Sequence, residues 1–206
     1  MAFSSEKMKR IFALLVSTLF LAACGIELPE TNEERMQLAR ETGDVELLHK
    51  LSKDNNQGVR ANVAGNSETP VSILEQLSGD ESQTVKKYLA SNKNLPQEIL
   101  QRLAKEEDQK VRWVVAKNPV TDESILEQFV NDPSLNVQVQ LAKNKALTQD
   151  LMMKIIENSG TSAILALLDR EDLTREILNI CAKHVNEKIS EKAQALIDGL
   201  ESRRQQ

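Results

Sequence analysis

Apolar residues in this chain recur in two alternating helical spacings. Ile73, Leu74 and Leu77 fall at i, i+1 and i+4, which is one face of an α-helix. Val85, Leu89 and Ala90 then mark a second, shorter helical face. Turn-rich polar stretches separate such faces: GNSETP at 65–70, SNKNLP at 91–96 and KNPVT at 117–121. Laid at a step of 26 residues, the chain aligns without a gap. Leu48, Leu74, Leu100, Leu126, Met152 and Leu178 form one apolar column, and Leu51, Leu77, Leu103, Phe129, Ile155 and Cys181 a second. Val59, Val85, Val111, Val137, Ala163 and Ile189 form a third, followed by Val63, Leu89, Val115, Leu141, Leu167 and Ala193. Each unit is therefore expected to be a helix, a turn and a shorter helix or 3₁₀ segment.

A unit this small cannot bury its apolar face alone, whereas stacked neighbours bury one another's. The expected fold is all-α, an α-solenoid of 26-residue helical repeats over residues 47–186. Residues 33–52 supply N-terminal cap helices, and 187–206 a C-terminal capping helix with a charged outer face. Thr69 before Pro70 is expected to cap a helix, with proline in its first position. Asn66, Asn92, Asn118 and Asn144 end the shorter helices, where asparagine tolerates the left-handed conformation.

The motif V-R-x-x-V-A-x-N-x-x-T-x-x-x-x-L-x-x-L, fullest at 59–77 and 111–129, resembles that of leucine-rich repeat variant proteins. The resemblance covers 47–158 well and 159–197 weakly. It implies alternating α and 3₁₀ helices in a right-handed superhelix, related to armadillo and HEAT arrays. The repeat here is slightly longer than the family's usual one, and its basic position is lost at Gln138 and Ile164. The family shares no common activity, so the resemblance speaks to fold.

The N-terminus has a different pattern. Lys7, Lys9 and Arg10 precede the apolar run IFALLVSTLFLAA at 11–23, too short to span a bilayer comfortably. The run ends in LAAC, which resembles the lipobox of bacterial lipoproteins. That resemblance implies a signal peptide over 1–23, acylation of Cys24, a lipidated tether over 24–32, and no other cofactor. Gly25 is not the aspartate associated with inner-membrane retention. The expected location is therefore the cell envelope, lipid-anchored, at the outer membrane facing the periplasm.

Removing a segment of net +2 from a chain of net −5 leaves −7. That balance argues against nucleic acid as a partner. With Cys24 lipidated, Cys181 has no intramolecular partner and sits in a leucine column, as a small buried hydrophobe would. His49 and His184 lie in opposite caps, no metal-ligand spacing occurs, and no catalytic set suggests itself. An enzyme is not expected.

Arg60, Lys86, Arg112 and Gln138 share a column preceded by an acidic one, Asp54, Asp80, Glu106 and Asp132. The two columns suit ion pairing and helix N-terminal charge, with an anion-binding stripe as the rival reading. Trp113 departs from the repeat, with Tyr88, Lys86, Lys87 and Arg112 around it: either an aromatic and basic hot spot or a filler between helices. Val139, Ile164 and Leu165 would extend such a surface, or lie under the last helix. The candidate partner-binding residues are Arg60, Lys86, Lys87, Tyr88, Arg112 and Trp113. The expected function is a membrane-anchored scaffold for a protein or peptide partner. The alternative is an immunity lipoprotein that neutralises a toxin delivered to the periplasm.

Overall fold

The computed structural model describes residues 28–204. The expected signal segment, Cys24 and most of the tether lie outside the described residues. Among those described, thirteen α-helices follow one another with a single 3₁₀ turn and no strand.

They form two layers. The inner layer comprises α1 (Asn32–Glu41), α3 (Gln57–Gly65), α5 (Gln83–Ala90), α7 (Gln109–Lys117), α9 (Leu135–Ala142), α11 (Thr161–Leu167) and α13 (Glu187–Arg204). The outer layer comprises α2 (Val45–Leu51), α4 (Val71–Leu77), α6 (Gln97–Leu103), α8 (Glu123–Leu126), α10 (Gln149–Asn158) and α12 (Arg175–Ala182). The 3₁₀ turn Glu127–Phe129 prolongs α8. From α3 onward, every inner helix begins 26 residues after the one before, at 57, 83, 109, 135, 161 and 187. The outer helices keep the same step from Val45 to Arg175. The periodicity of apolar columns is thus the periodicity of the backbone.

From α1 to α11, consecutive inner helices pack directly on one another, while the outer helices beside them stand further apart. An array that is close on one side and open on the other curves toward the close side. At the C-terminal end the arrangement changes: α13 packs chiefly on α12, and α10 approaches α12. The four apolar columns are buried in every unit and belong to one continuous core, from Leu38 to Ile197. Each buried Leu or Ile contributes about 1.5–3 kcal/mol, realised only when the neighbouring unit is in place. Cys181 is fully buried in its leucine column, and burial pushes its thiol pKa up to about 11.

Three local expectations are corrected. The inner helices are not the shorter ones in most units: α3 and α7 have nine residues, α4 and α6 seven, and only α11, with seven after the ten of α10, keeps the expected order. Thr69 caps nothing, because Pro70 occupies the N-cap of α4 and the Thr69 hydroxyl donates to the Val63 carbonyl at 2.7 Å. Thr121 does the same to Val115 at 2.8 Å. Nor are the asparagines left-handed: Asn66 has φ −75° and Asn118 φ −65°. They are buried, and their amides do other work.

Candidate functional site

Three rows of polar side chains run along the array. The first is built from the buried asparagines. Asn92 Nδ2 donates to the carbonyls of Ala64 and Asn66, both at 2.9 Å. Its Oδ1 accepts the Asn94 amide at 2.9 Å. Asn66, Asn118 and Asn144 repeat the arrangement one unit at a time, each reaching the end of the preceding inner helix. A helix leaves its last carbonyls without intrahelical partners. Here the next unit's amide supplies the missing donor. At the following position Arg170 replaces asparagine, and its guanidinium reaches Ala142 and Asn144 in the same way.

The second row contains the basic column. Arg60 Nε donates to Asp80 Oδ2 at 2.6 Å, and its Nη1 donates to the carbonyls of Asp54 and Asn55. Arg112 repeats this with Asp132 at 2.7 Å and the carbonyls of Glu106 and Glu107. Lys86 pairs with Glu106 at 2.8 Å, and Arg35 opens the series on Asp54 at 2.7 Å. The carboxylates serve twice, since Oδ1 of Asp54, Asp80 and Asp132 also accepts the amide two residues on, at the start of an inner helix. His184 takes that place before α13, where its Nδ1 accepts the Asn186 amide. Burial raises the Asp80 pKa, but the Arg60 hydrogen bond and the Ser82 amide outweigh it and hold the carboxyl below its ordinary value. Hydrogen bonding to Asp132 raises the Arg112 pKa. Gln138 keeps the pattern without charge, donating to the Asp132 carbonyl and accepting the Gly160 amide.

Arg60, Lys86 and Arg112 therefore lie in the joints between units rather than beside Trp113. Of the six candidate binding residues, the structure groups only Lys87, Tyr88 and Trp113 on one exposed face. The geometry follows from 100° per residue. Val85, Leu89 and Ala90 point into the core, so Thr84, Lys87, Tyr88 and Ser91 face away from it. The equivalent set is Lys110, Trp113 and Lys117 on α7, where Val114 at the Tyr88 position is buried instead, and Asn136, Val139, Gln140 and Lys143 at α9 and its C-cap.

This third row is the solvent side of the inner layer. Tyr88 is 41% exposed, with its ring against Gly65, where a Cβ would stand 3.1 Å from it. Trp113 is half-buried and packs on the core. Lys117 Nζ sits 5.1 Å from the Trp113 ring centroid, within cation–π range. Val139 and Leu165 continue the row, half-buried, whereas Ile164 is core. Lys110, Lys117 and Lys143 escaped sequence reasoning because lysines at varied columns look like ordinary solvated positions. Trp113 and Lys117 at i, i+4 were the available signal.

A cleft of about 670 Å³ at the C-terminal end is a competing place, bounded by Leu173, Leu196 and Leu200. Two of its charged groups are already paired, Arg170 with Asp172 and Lys192 with Asp169. Among the described residues, no group of three His, Cys, Asp or Glu could hold a metal ion, and no helix is long and apolar enough to cross a membrane.

No protein-family model matches the chain, and no match was found among curated proteins. Among solved structures, the chain is similar to a leucine-rich repeat variant with a novel repetitive structural motif. That match has 23% identity and a TM-score of 0.60, covering 81% of this chain and 66% of the other. The chain thus spans just under two thirds of that protein's length. A designed armadillo repeat protein for modular peptide recognition overlaps at TM-score 0.38 and 18% identity, covering 82% of this chain and 87% of the other. A second, in complex with the peptide (KR)4, overlaps at 0.36 and 18%, covering 95% and 94%. At that overlap they add nothing to the assignment. The first similarity agrees with the α-solenoid seen directly.

Proposed function

We propose that this protein is a lipid-anchored envelope lipoprotein that holds a protein or peptide partner on the inner face of its repeat array. The observation that carries this reading is a division of labour among the polar residues. The asparagine and arginine rows are used up in joining units. The row of Lys87, Tyr88, Trp113, Lys117 and Val139 adds little to those joints, yet places aromatic, apolar and basic groups at a curved surface. Such side chains are favoured at binding hot spots, and repeat arrays bind along continuous surfaces of this kind.

Membrane attachment rests on the basic start, the 11–23 apolar run and LAAC ending in Cys24. Multiple acyl chains give stable anchoring at about 0.8 kcal/mol per buried CH₂. Gly25 favours the outer membrane's periplasmic face. The reading is of a binding protein rather than an enzyme, and both histidines have structural partners: His49 contacts Lys53, and His184 accepts the Asn186 amide.

Two measurements test this. Intact mass of the exported protein is expected to show Cys24 as an acylated N-terminus, and an unmodified residue there would remove the anchor. Affinity capture from detergent-solubilised envelopes is expected to recover a saturable partner that Trp113→Ala loses. Equal recovery by wild type and variant, or none by either, would reject the inner face.

A further inference from the structure

Between the two end helices α1 and α13, the inner helices carry bases alone, whereas the outer helices carry mostly acids. Helices α3, α5, α7, α9 and α11 contain no aspartate or glutamate, but do contain Arg60, Lys86, Lys87, Lys110, Arg112 and Lys117. The outer helices and the 3₁₀ turn carry Glu46, Glu75, Glu98, Glu123, Glu127, Asp150, Glu157 and Glu176 against four bases, Lys50, Arg102, Lys154 and Arg175. Three of the inner bases are spent on the ladder. Lys87, Lys110 and Lys117, with Lys143 at the end of α9, make no ion pair among the described residues. An acidic protein thus presents a locally cationic inner face, with Trp113 at its middle and Val139 and Leu165 beyond.

We propose that the inner face across α5, α7 and α9 receives an extended acidic segment of a partner protein. Its carboxylates meet Lys87, Lys110, Lys117 and Lys143, and its apolar side chains rest on the Trp113–Val139 row. The proposal rests on the binding reading above and narrows it to one ligand chemistry. Spacing supports a chain in the extended polyproline II conformation: packed helices lie about 8–10 Å apart, and three residues of that helix rise about 9 Å and return to the same face. A partner with an acidic residue at one position and apolar residues three and six further on would match Lys87, Trp113 and Val139 in turn.

Other anions fit less well. A nucleic acid would meet the apolar Val139–Leu165 half of the row with phosphate, on a chain of net negative charge.

Trp113 is the chain's one tryptophan, so its fluorescence reports on the proposed contact directly. The purified full-length chain is titrated with a synthetic glutamate-rich peptide carrying leucine at three-residue intervals, with its glutamine counterpart, with a single-stranded oligonucleotide and with anionic phospholipid vesicles. Expected is a saturable change with the glutamate peptide, weakened by salt as exposed charge pairs are. The glutamine counterpart is expected to bind at least about tenfold more weakly, as is the glutamate peptide to the Lys87→Glu/Lys117→Glu protein. Lys110→Ala/Lys143→Ala is a second, milder variant expected to bind more weakly in the same direction. Equal binding of both peptides overturns the proposal, as does a larger saturable response to oligonucleotide or vesicles. Unchanged affinity in a variant whose circular dichroism matches wild type overturns it too. An envelope partner captured equally by wild type and Lys87→Glu/Lys117→Glu would sink the acidic segment while leaving the scaffold reading standing.

Discussion

The buried asparagines show most plainly how a single side chain can join units. Asn118 donates to Ala90 and Asn92 and accepts from Val120, so three backbone groups depend on one amide. Asn118→Ala is expected to leave them unsatisfied and cost about 2–4 kcal/mol in urea denaturation. Asp80 makes a pH-dependent contribution. Its folded pKa lies below the ordinary 3.8, so its stabilisation is present above that value and is lost as pH falls through the folded value. Asp80→Asn is therefore expected to lower the urea midpoint at neutral pH, with the gap to wild type narrowing as pH falls below 3.8. The asparagine column was visible in the sequence, yet its role was misread. Local rules assign asparagine after a helix to a left-handed turn, whereas its actual partners lie 26 and 28 residues away. No local rule sees that far.

The helices are short, mostly seven to ten residues, and would be marginal alone. Their ends are held by neighbours: Ser82 donates to Gln57 and Ser134 to Gln109, each across 25 residues. These links fix the register at one repeat length. Inserting a further copy of residues 93–118 is expected to give a folded, more stable array. An insertion of about 24 residues should instead lose cooperative unfolding, because the ladder bonds across the insertion would face the wrong partners. Thermal melts followed by circular dichroism distinguish the two. The helices themselves were legible from their apolar spacing, and their relative lengths were not. The asparagine row donates to the Ala64 and Ala116 carbonyls near the ends of α3 and α7, contacts that apolar patterning does not register.

The array ends when a helix covers the last open face. Helix α13 buries Ile189, Ala193 and Ile197 against the neighbouring α12 and α11. A chain stopped after Asn186 is expected to expose the α12 core residues. Cys181, inert when its thiol is held near 11, should then react with a disulfide reagent at a rate approaching that in urea. An unchanged slow reaction in a truncated chain that remains folded would show that α13 is not the cover. The charge difference between layers is already present within single repeats, as between α7 and α8, and becomes a continuous cationic face when the middle inner helices are brought together.

What the linear chain settled is whatever repeats: the 26-residue step, two helices per unit, the apolar columns and the pairing of the basic column with the acidic one. Periodic patterns record which residues must face a neighbour, because each unit meets the same neighbour in the same way. Folding settled what depends on direction and distance. It turned Arg60, Lys86 and Arg112 into joints, placed the asparagine amides on the preceding helix ends, and left Lys87, Tyr88, Trp113 and Lys117 together on the inner face. Residues 85 and 86 differ by only one position in the chain, but by 100° around a helix, and packing decides which of those directions meets carboxylate, core or water.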